Sequence, residues 1–213
     1  MELKKILAGL EGVKAKGNLD IEIDRVDNDS RKVKENSLFV AIKGFDSDGH
    51  KFINNAIENG AIAIMIEEGT DIKSLNIPTN ITLIMVPDTR YALAIIACNF
   101  YENPSRKFKL IGITGTKGKT TTSFMLKKIL EKQGLKVGLI GTIAKYIGDK
   151  CLGESDRTTP ESLELQQIFA KMAEEKVDVV IMEVSSQSLK LNRVAGCDFD
   201  YAIFTNFLSD HIS

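Results

Sequence analysis

Gly115-Thr116-Lys117-Gly118-Lys119-Thr120 is the stretch whose residue types and spacing point most directly to chemistry. It follows a short apolar run (Leu110, Ile111, Ile113) and opens an amphipathic one (Phe124, Met125, Ile129, Leu130). Strand, glycine-rich turn and helix is the setting in which a phosphate-binding loop makes physical sense. Glycines let successive backbone N–H groups turn toward one anion. The helix adds unpaired first-turn N–H groups and about half a positive charge of dipole. Lys119 has the reach for β- and γ-phosphates, and the Thr120 hydroxyl can complete a magnesium shell. The strict pattern G-x-x-x-x-G-K-[ST] would need glycine at 113, where Ile113 stands, so the loop is a T-G-T-x-G-K-T variant. An ordinary glycine-rich turn is the plain alternative; Gly-Lys-Thr at a helix start favours a nucleotide phosphate.

Other polar residues fall where strands should end, which is where ligands collect on a parallel sheet. Glu183 follows the apolar run 177–182 and suits a magnesium carboxylate, against the alternative of a solvated strand-end glutamate. Ser185 and Ser186 fit either a helix cap, worth ~1 kcal/mol, or a hold on a substrate oxygen. Asn206 and His211 follow the last apolar run, and spacing alone does not make His211 a ligand.

These residues need elements to position them. The first seventeen residues read as a short amphipathic helix, followed by strands at 21–26 and 37–42 and a turn-rich segment at 43–50. Phe52, Ile53, Ala56 and Ile57 mark a helix that Gly60 caps. Strands at 61–66 and 81–86 precede a helix opened by Pro87-Asp88, and Asn103-Pro104-Ser105 breaks the pattern. Beyond the loop helix come a strand at 136–140, a hairpin near 145–150, a helix at 162–176, and strands at 177–182 and Tyr201–Phe204. The alternation predicts an α/β chain. A small mixed α/β domain over residues 1–104 precedes a mostly parallel, phosphate-loop sheet domain over 105–213.

Composition bounds the partners. Of the 213 residues, 43% are hydrophobic, and 28 Lys+Arg face 29 Asp+Glu, so no global field favours nucleic acid or an anionic membrane. The three cysteines are scattered outside any C-x-x-C pair, which argues against a disulfide frame or zinc site and for a reducing, cytosolic setting. No stretch has the length of a membrane span.

Four ordered motifs, TGTKGKTTT, RTTP, MEVSSQSL-x-x-NRVAG and FTN-x-x-x-DH, resemble the Mur ligases of peptidoglycan synthesis, and the segment from Asp29 to Met65 resembles their nucleotide-sugar-binding domain. The likeness runs through essentially the whole chain and is greatest to the branch that adds the third amino acid of the stem peptide. It implies that ATP phosphorylates the terminal carboxylate of UDP-MurNAc-L-Ala-D-Glu and that the amino group of an amino acid, diaminopimelate or lysine, attacks the acyl phosphate. It also implies that Gly115, Thr116, Lys117, Gly118, Lys119, Thr120 and Thr121 cradle ATP, with Lys119 stabilising the transferring phosphoryl group. Thr120 and Glu183 would serve one Mg2+ and His211 a second. Thr158, Thr159, Ser185 and Arg193 would hold the substrate's peptide end. Ser30 with Phe45, Asp46 and Ser47 would receive its uridine end. Gln187, Leu191 and Arg157 depart from residues common in relatives. The resemblance further implies a bacterial cytoplasmic enzyme, monomeric when complete. The chain would be its amino-terminal portion, lacking the amino-acid-binding domain, inactive alone and prone to self-associate. Two alternatives stay open: another ligase sharing the central domain (MurF, folylpolyglutamate or cyanophycin synthetase), or a non-catalytic nucleotide or UDP-sugar-binding module.

Overall fold

A computed structural model describes residues 1–44, 47–72 and 75–208. They divide into two compact units, Met1–Phe100 and a second from Tyr101 onward, each with a sheet and core of its own.

In the first unit, α1 (Leu3–Ile6) is a single turn, and β1 (Lys14–Lys16) follows it. The helix expected over the first seventeen residues is thus cut short. Gly9 (φ +79°) and Gly12 (φ +69°) turn the chain into left-handed conformations that a helix cannot continue through. Next come β2 (Arg25–Asp27), shorter and later than the strand expected at 21–26, and β3 (Ser37–Val40). Residue 22 makes only an isolated bridge to Glu2. Helix α2 (Ile53–Glu58), β4 (Ala61–Glu67), β5 (Thr82–Val86) and α3 (Thr89–Phe100) complete the unit. The sheet order is β1-β5-β4-β3-β2, parallel except for β1. Phe39, Ile53, Ala56, Ile64, Ile66 and Leu83 form much of the core.

The second unit opens with β6 (Lys109–Thr114) and α4 (Lys119–Lys132). It continues through β7 (Val137–Ile140), a hairpin of β8 (Ala144–Ile147) and β9 (Lys150–Glu154), and α5 (Ser162–Glu174). Then come β10 (Val179–Glu183), α6 (Ser186–Lys190) and β11 (Tyr201–Phe204). The unit begins slightly ahead of the 104/105 boundary expected from sequence, because the turn Pro104–Lys107 packs against α5. The sheet order is β11-β6-β10-β7-β8-β9; the first four strands run parallel, and the hairpin adds antiparallel strands at one edge.

Alternation along β10 sorts the two faces of this sheet. Val180 and Met182 join Leu165, Phe169 and Met172 of α5, where Phe108 meets Phe169 edge-on at 5.4 Å. Val179 and Ile181 face the other way, with Phe124, Leu126 and Leu130 of α4 packed on that side. Met125 and Ile129, expected on the buried face of α4, project outward at 62% and 56% exposure. Phe124 and Leu130 of the same expected set do pack on the core, and Lys127 is buried as well, its ammonium paired with Glu131 one turn on.

Candidate phosphate-loop site and sugar-nucleotide pocket

The loop joining β6 to α4 is held by the chain leaving β11. Thr116 N donates to Asn206 O (3.0 Å), and Lys117 N donates to Asn206 Oδ1 (3.0 Å) while Asn206 Nδ2 donates to Lys117 O (3.0 Å). The Thr116 hydroxyl donates to Leu208 O (3.2 Å) and accepts from Leu208 N (2.9 Å). Gly115, at φ +129°, permits this approach: a Cβ there would lie 2.2 Å from Thr205 Oγ1. Gly118 takes the N-cap position of α4 at φ +84°, with nothing within 4 Å of where its Cβ would project. The first-turn N–H groups of a helix have no partner within it, and in that turn of α4 Thr121 is exposed. Lys119 Nζ folds back and donates to Gly115 O (2.6 Å) and Thr116 O (3.2 Å).

Glu183 ends β10, which lies between β6 and β7 in the sheet, and its residue is fully buried. Its Oε2 accepts from the hydroxyls of Thr120 (2.9 Å) and Thr142 (3.0 Å), and its Oε1 from Thr142 N (3.3 Å). A Cβ at Gly141 would sit 2.3 Å from Oε1, so glycine there makes room for the carboxylate. A carboxylate and a hydroxyl oxygen beside a phosphate-type loop fit magnesium, a hard cation that completes its octahedron with phosphate and water oxygens. Among the described residues no cluster of three or more His, Cys, Asp or Glu offers a closed cage for another metal.

On the other side of Thr142, its hydroxyl lies 3.1 Å from that of Thr158, which is partly exposed. Thr159 is buried; its hydroxyl donates to Glu183 O (2.9 Å) and accepts from Ser185 N (3.1 Å). Ser185 caps α6, its Oγ accepting from Ser188 N (3.1 Å). Arg193, 7% exposed, donates from Nη1 to Thr159 O (3.2 Å) and pairs through Nη2 with Glu161 (2.9 Å). Lys119, Thr120, Glu183 and Thr158 thus share one end of the sheet, while Thr159 and Arg193 brace the segment that carries Thr158. Thr142 and Gly141 are additions to the residues singled out from sequence; their only signal was a Gly-Thr pair directly after the apolar run 136–140. Asn206 is visible in the sequence as following the last strand, and its role as a clamp on the loop is new.

The first unit carries a separate cavity of about 640 Å³, lined by Ser30, Arg31, Phe39, Ser47, Phe52 and Asn55 among others. Asn59 Nδ2 donates to Ser30 O (2.9 Å) and fixes that turn. Arg31 grips Asp29 with two bonds, Nε at 2.9 Å and Nη2 at 2.8 Å, and holds its carboxyl below the ordinary range. Phe45, Asp46 and His211 lie outside the described residues.

Family comparison accounts for both units. A model of the Mur ligase middle domain matches residues 113–213, and one described as the Mur ligase family catalytic domain matches residues 22–101. The chain belongs to the Mur ligase family. Among curated relatives, the UDP-N-acetylmuramoyl-L-alanyl-D-glutamate–2,6-diaminopimelate ligase of Clostridium botulinum is 55% identical over 212 residues. The ligase 1 of the same name from Clostridium acetobutylicum is 53% identical. Each alignment covers 100% of this chain, and the chain spans 43% of either relative's length. A solved structure of a ligase with that name shares the fold at TM-score 0.78 and 23% identity, over 100% of this chain and 42% of that one. The MurF ligase of Thermotoga maritima, solved in complex with ADP, follows at TM-score 0.58 and 27% identity, over 88% of this chain and 38% of that one.

Proposed function

We propose that the chain provides the nucleotide-binding and UDP-sugar-binding parts of an ATP-dependent amide ligase that extends UDP-MurNAc-L-Ala-D-Glu by one amino acid. The relatives' names favour diaminopimelate as that amino acid. The observation that carries the reading is the meeting of Thr120 with Glu183, at 2.9 Å, at the foot of a Gly-Lys-Thr loop. An acyl-phosphate ligase needs positive charge and oxygen ligands arranged around a transferring phosphoryl group, with little covalent work left to the protein.

In this reading Gly115, Thr116, Lys117, Gly118 and Thr121 shape the nucleotide cradle. Lys119 leaves the carbonyls of residues 115 and 116 for the phosphate oxygens and stabilises the charge that develops there. Thr120 and Glu183 would hold magnesium, which when bound neutralises phosphate charge; His211 is assigned to a second ion by family likeness alone. Thr158 would contact the peptide end of the substrate, held in place by Thr159, Ser185 and Arg193. Ser30 and Ser47, with Phe45 and Asp46, would serve the uridine end in the first unit's cavity. ATP and a UDP-linked precursor fit a cytoplasmic setting, and no helix of the described residues is long and apolar enough to cross a membrane.

Ligand-induced stabilisation tests the proposal. A ligand at a hundred times its Kd stabilises by about 2.7 kcal/mol. Mg·ADP and UDP-MurNAc-L-Ala-D-Glu should each raise the Tm of the chain, and UDP-N-acetylglucosamine should do so far less. Equal shifts from both UDP-sugars, or none from either Mg·ADP or the dipeptide precursor, would overturn it.

A further inference from the structure

Thr142 belongs to none of the loop, the β10 carboxylate or the Thr158–Thr159 pair, yet it touches two of them. It is exposed and follows β7 by a single glycine turn, and it offers Glu183 two donors, its backbone N–H and its hydroxyl. The same hydroxyl lies 3.1 Å from Thr158 Oγ1. A threonine hydroxyl has one proton to give, and a carboxylate oxygen acts as acceptor. The Thr142 proton is therefore committed to Glu183 Oε2, and the contact with Thr158 is made by the Thr158 proton pointing at Thr142 Oγ1. The chain of donors runs in one direction, from Thr158 through Thr142 to Glu183.

Glu183 depends on that arrangement. Gly141 offers no side chain to pack against its carboxyl group, and the space a Cβ would fill there is occupied by Oε1. Besides Thr142, the side-chain partner of the carboxylate is Thr120, which is itself a proposed metal donor. A metal-binding carboxylate whose orientation rests on one neighbour loses affinity when that neighbour is removed, typically by 10- to 100-fold.

We infer that Thr142 is a positioning residue for a magnesium ion bound with the nucleotide: it aims the Glu183 carboxylate at the ion, and couples that aim to Thr158. The inference rests on the nucleotide reading given above and adds a residue to it. Thr142 touches no phosphate or metal in this scheme; it acts through Glu183.

The test is titration of ADP into the unaltered chain, Thr142→Val and Thr142→Ser, each in EDTA and in magnesium. Thr142 is exposed, and valine keeps its shape and its backbone N–H, so the fold is retained; circular dichroism and Tm confirm it. Expected is an ADP affinity in EDTA equal in all three. The gain on adding magnesium should fall about tenfold in Thr142→Val and survive in Thr142→Ser. Equal magnesium gain in Thr142→Val and the unaltered chain overturns the inference, as does an equal loss of ADP affinity with and without magnesium. If the unaltered chain binds no ADP at all, the nucleotide reading itself fails and takes the inference with it.

Discussion

A lysine ammonium folded onto two carbonyls of its own loop can be drawn away only by something that carries more negative charge than they do. Lys119 is in that position, and a polyphosphate supplies the charge. Lys119→Ala should therefore leave far-ultraviolet circular dichroism unchanged while weakening ADP binding at least tenfold; near-normal affinity in the variant would remove the loop from the nucleotide site. The loop and Glu183 were visible in the chain because each marks a change of pattern, glycine after an apolar run or a carboxylate at its end. Thr142 was not visible. Its meeting with Glu183 depends on β7 and β10 being neighbours in the sheet, a spatial fact that forty-odd residues of intervening chain conceal. Thr159 and Arg193 came into view only through the family resemblance, which did not reveal the inward turn of their side chains. That turn follows from backbone groups at 159, 183 and 185 that need partners once buried.

Among elements, β11 shows how a strand is pinned by its entrance as well as by its ladder. Asp200, just before it, accepts from Lys109 Nζ (2.5 Å) and from Leu110 N (2.9 Å), which ties β11 to the start of β6. The lysine first, and the backbone N–H second, hold the Asp200 carboxyl below the ordinary aspartate value of ~3.9. A carboxyl depressed on folding contributes stability that is complete above its unfolded value and is lost as pH falls through the folded one. The unaltered chain should thus lose stability on acidification below about pH 4 more steeply than Asp200→Asn, as urea midpoints at several pH values would show. Parallel slopes would mean that the pairing does not matter. The elements themselves were mostly legible, since the second unit's strands and helices follow clean periodicity. The amino-terminal segment was not, because Leu3, Ile6, Leu7 and Leu10 have helical spacing that two left-handed glycines override.

For the molecule as a whole, two units with separate sheets and cores imply that a ligand touching one alone protects that one alone. Mg·ADP should slow hydrogen exchange in β6, α4 and β10 while leaving β3 and β4 of the first unit at their unliganded rates, and UDP-MurNAc-L-Ala-D-Glu should protect amides around Ser30 and Ser47. Protection by ADP confined to the first unit would reverse the assignment of the two sites. The Asn206 clamp has a further consequence at this scale. Thr116 and Lys117 are fastened to Asn206 and Leu208 by hydrogen bonds from backbone and side chain alike. In mechanical terms the segment after β11 is a tether attached to the loop. Tension or slack along that tether reaches Thr116 and Lys117 first, before any strand of the sheet has to slip.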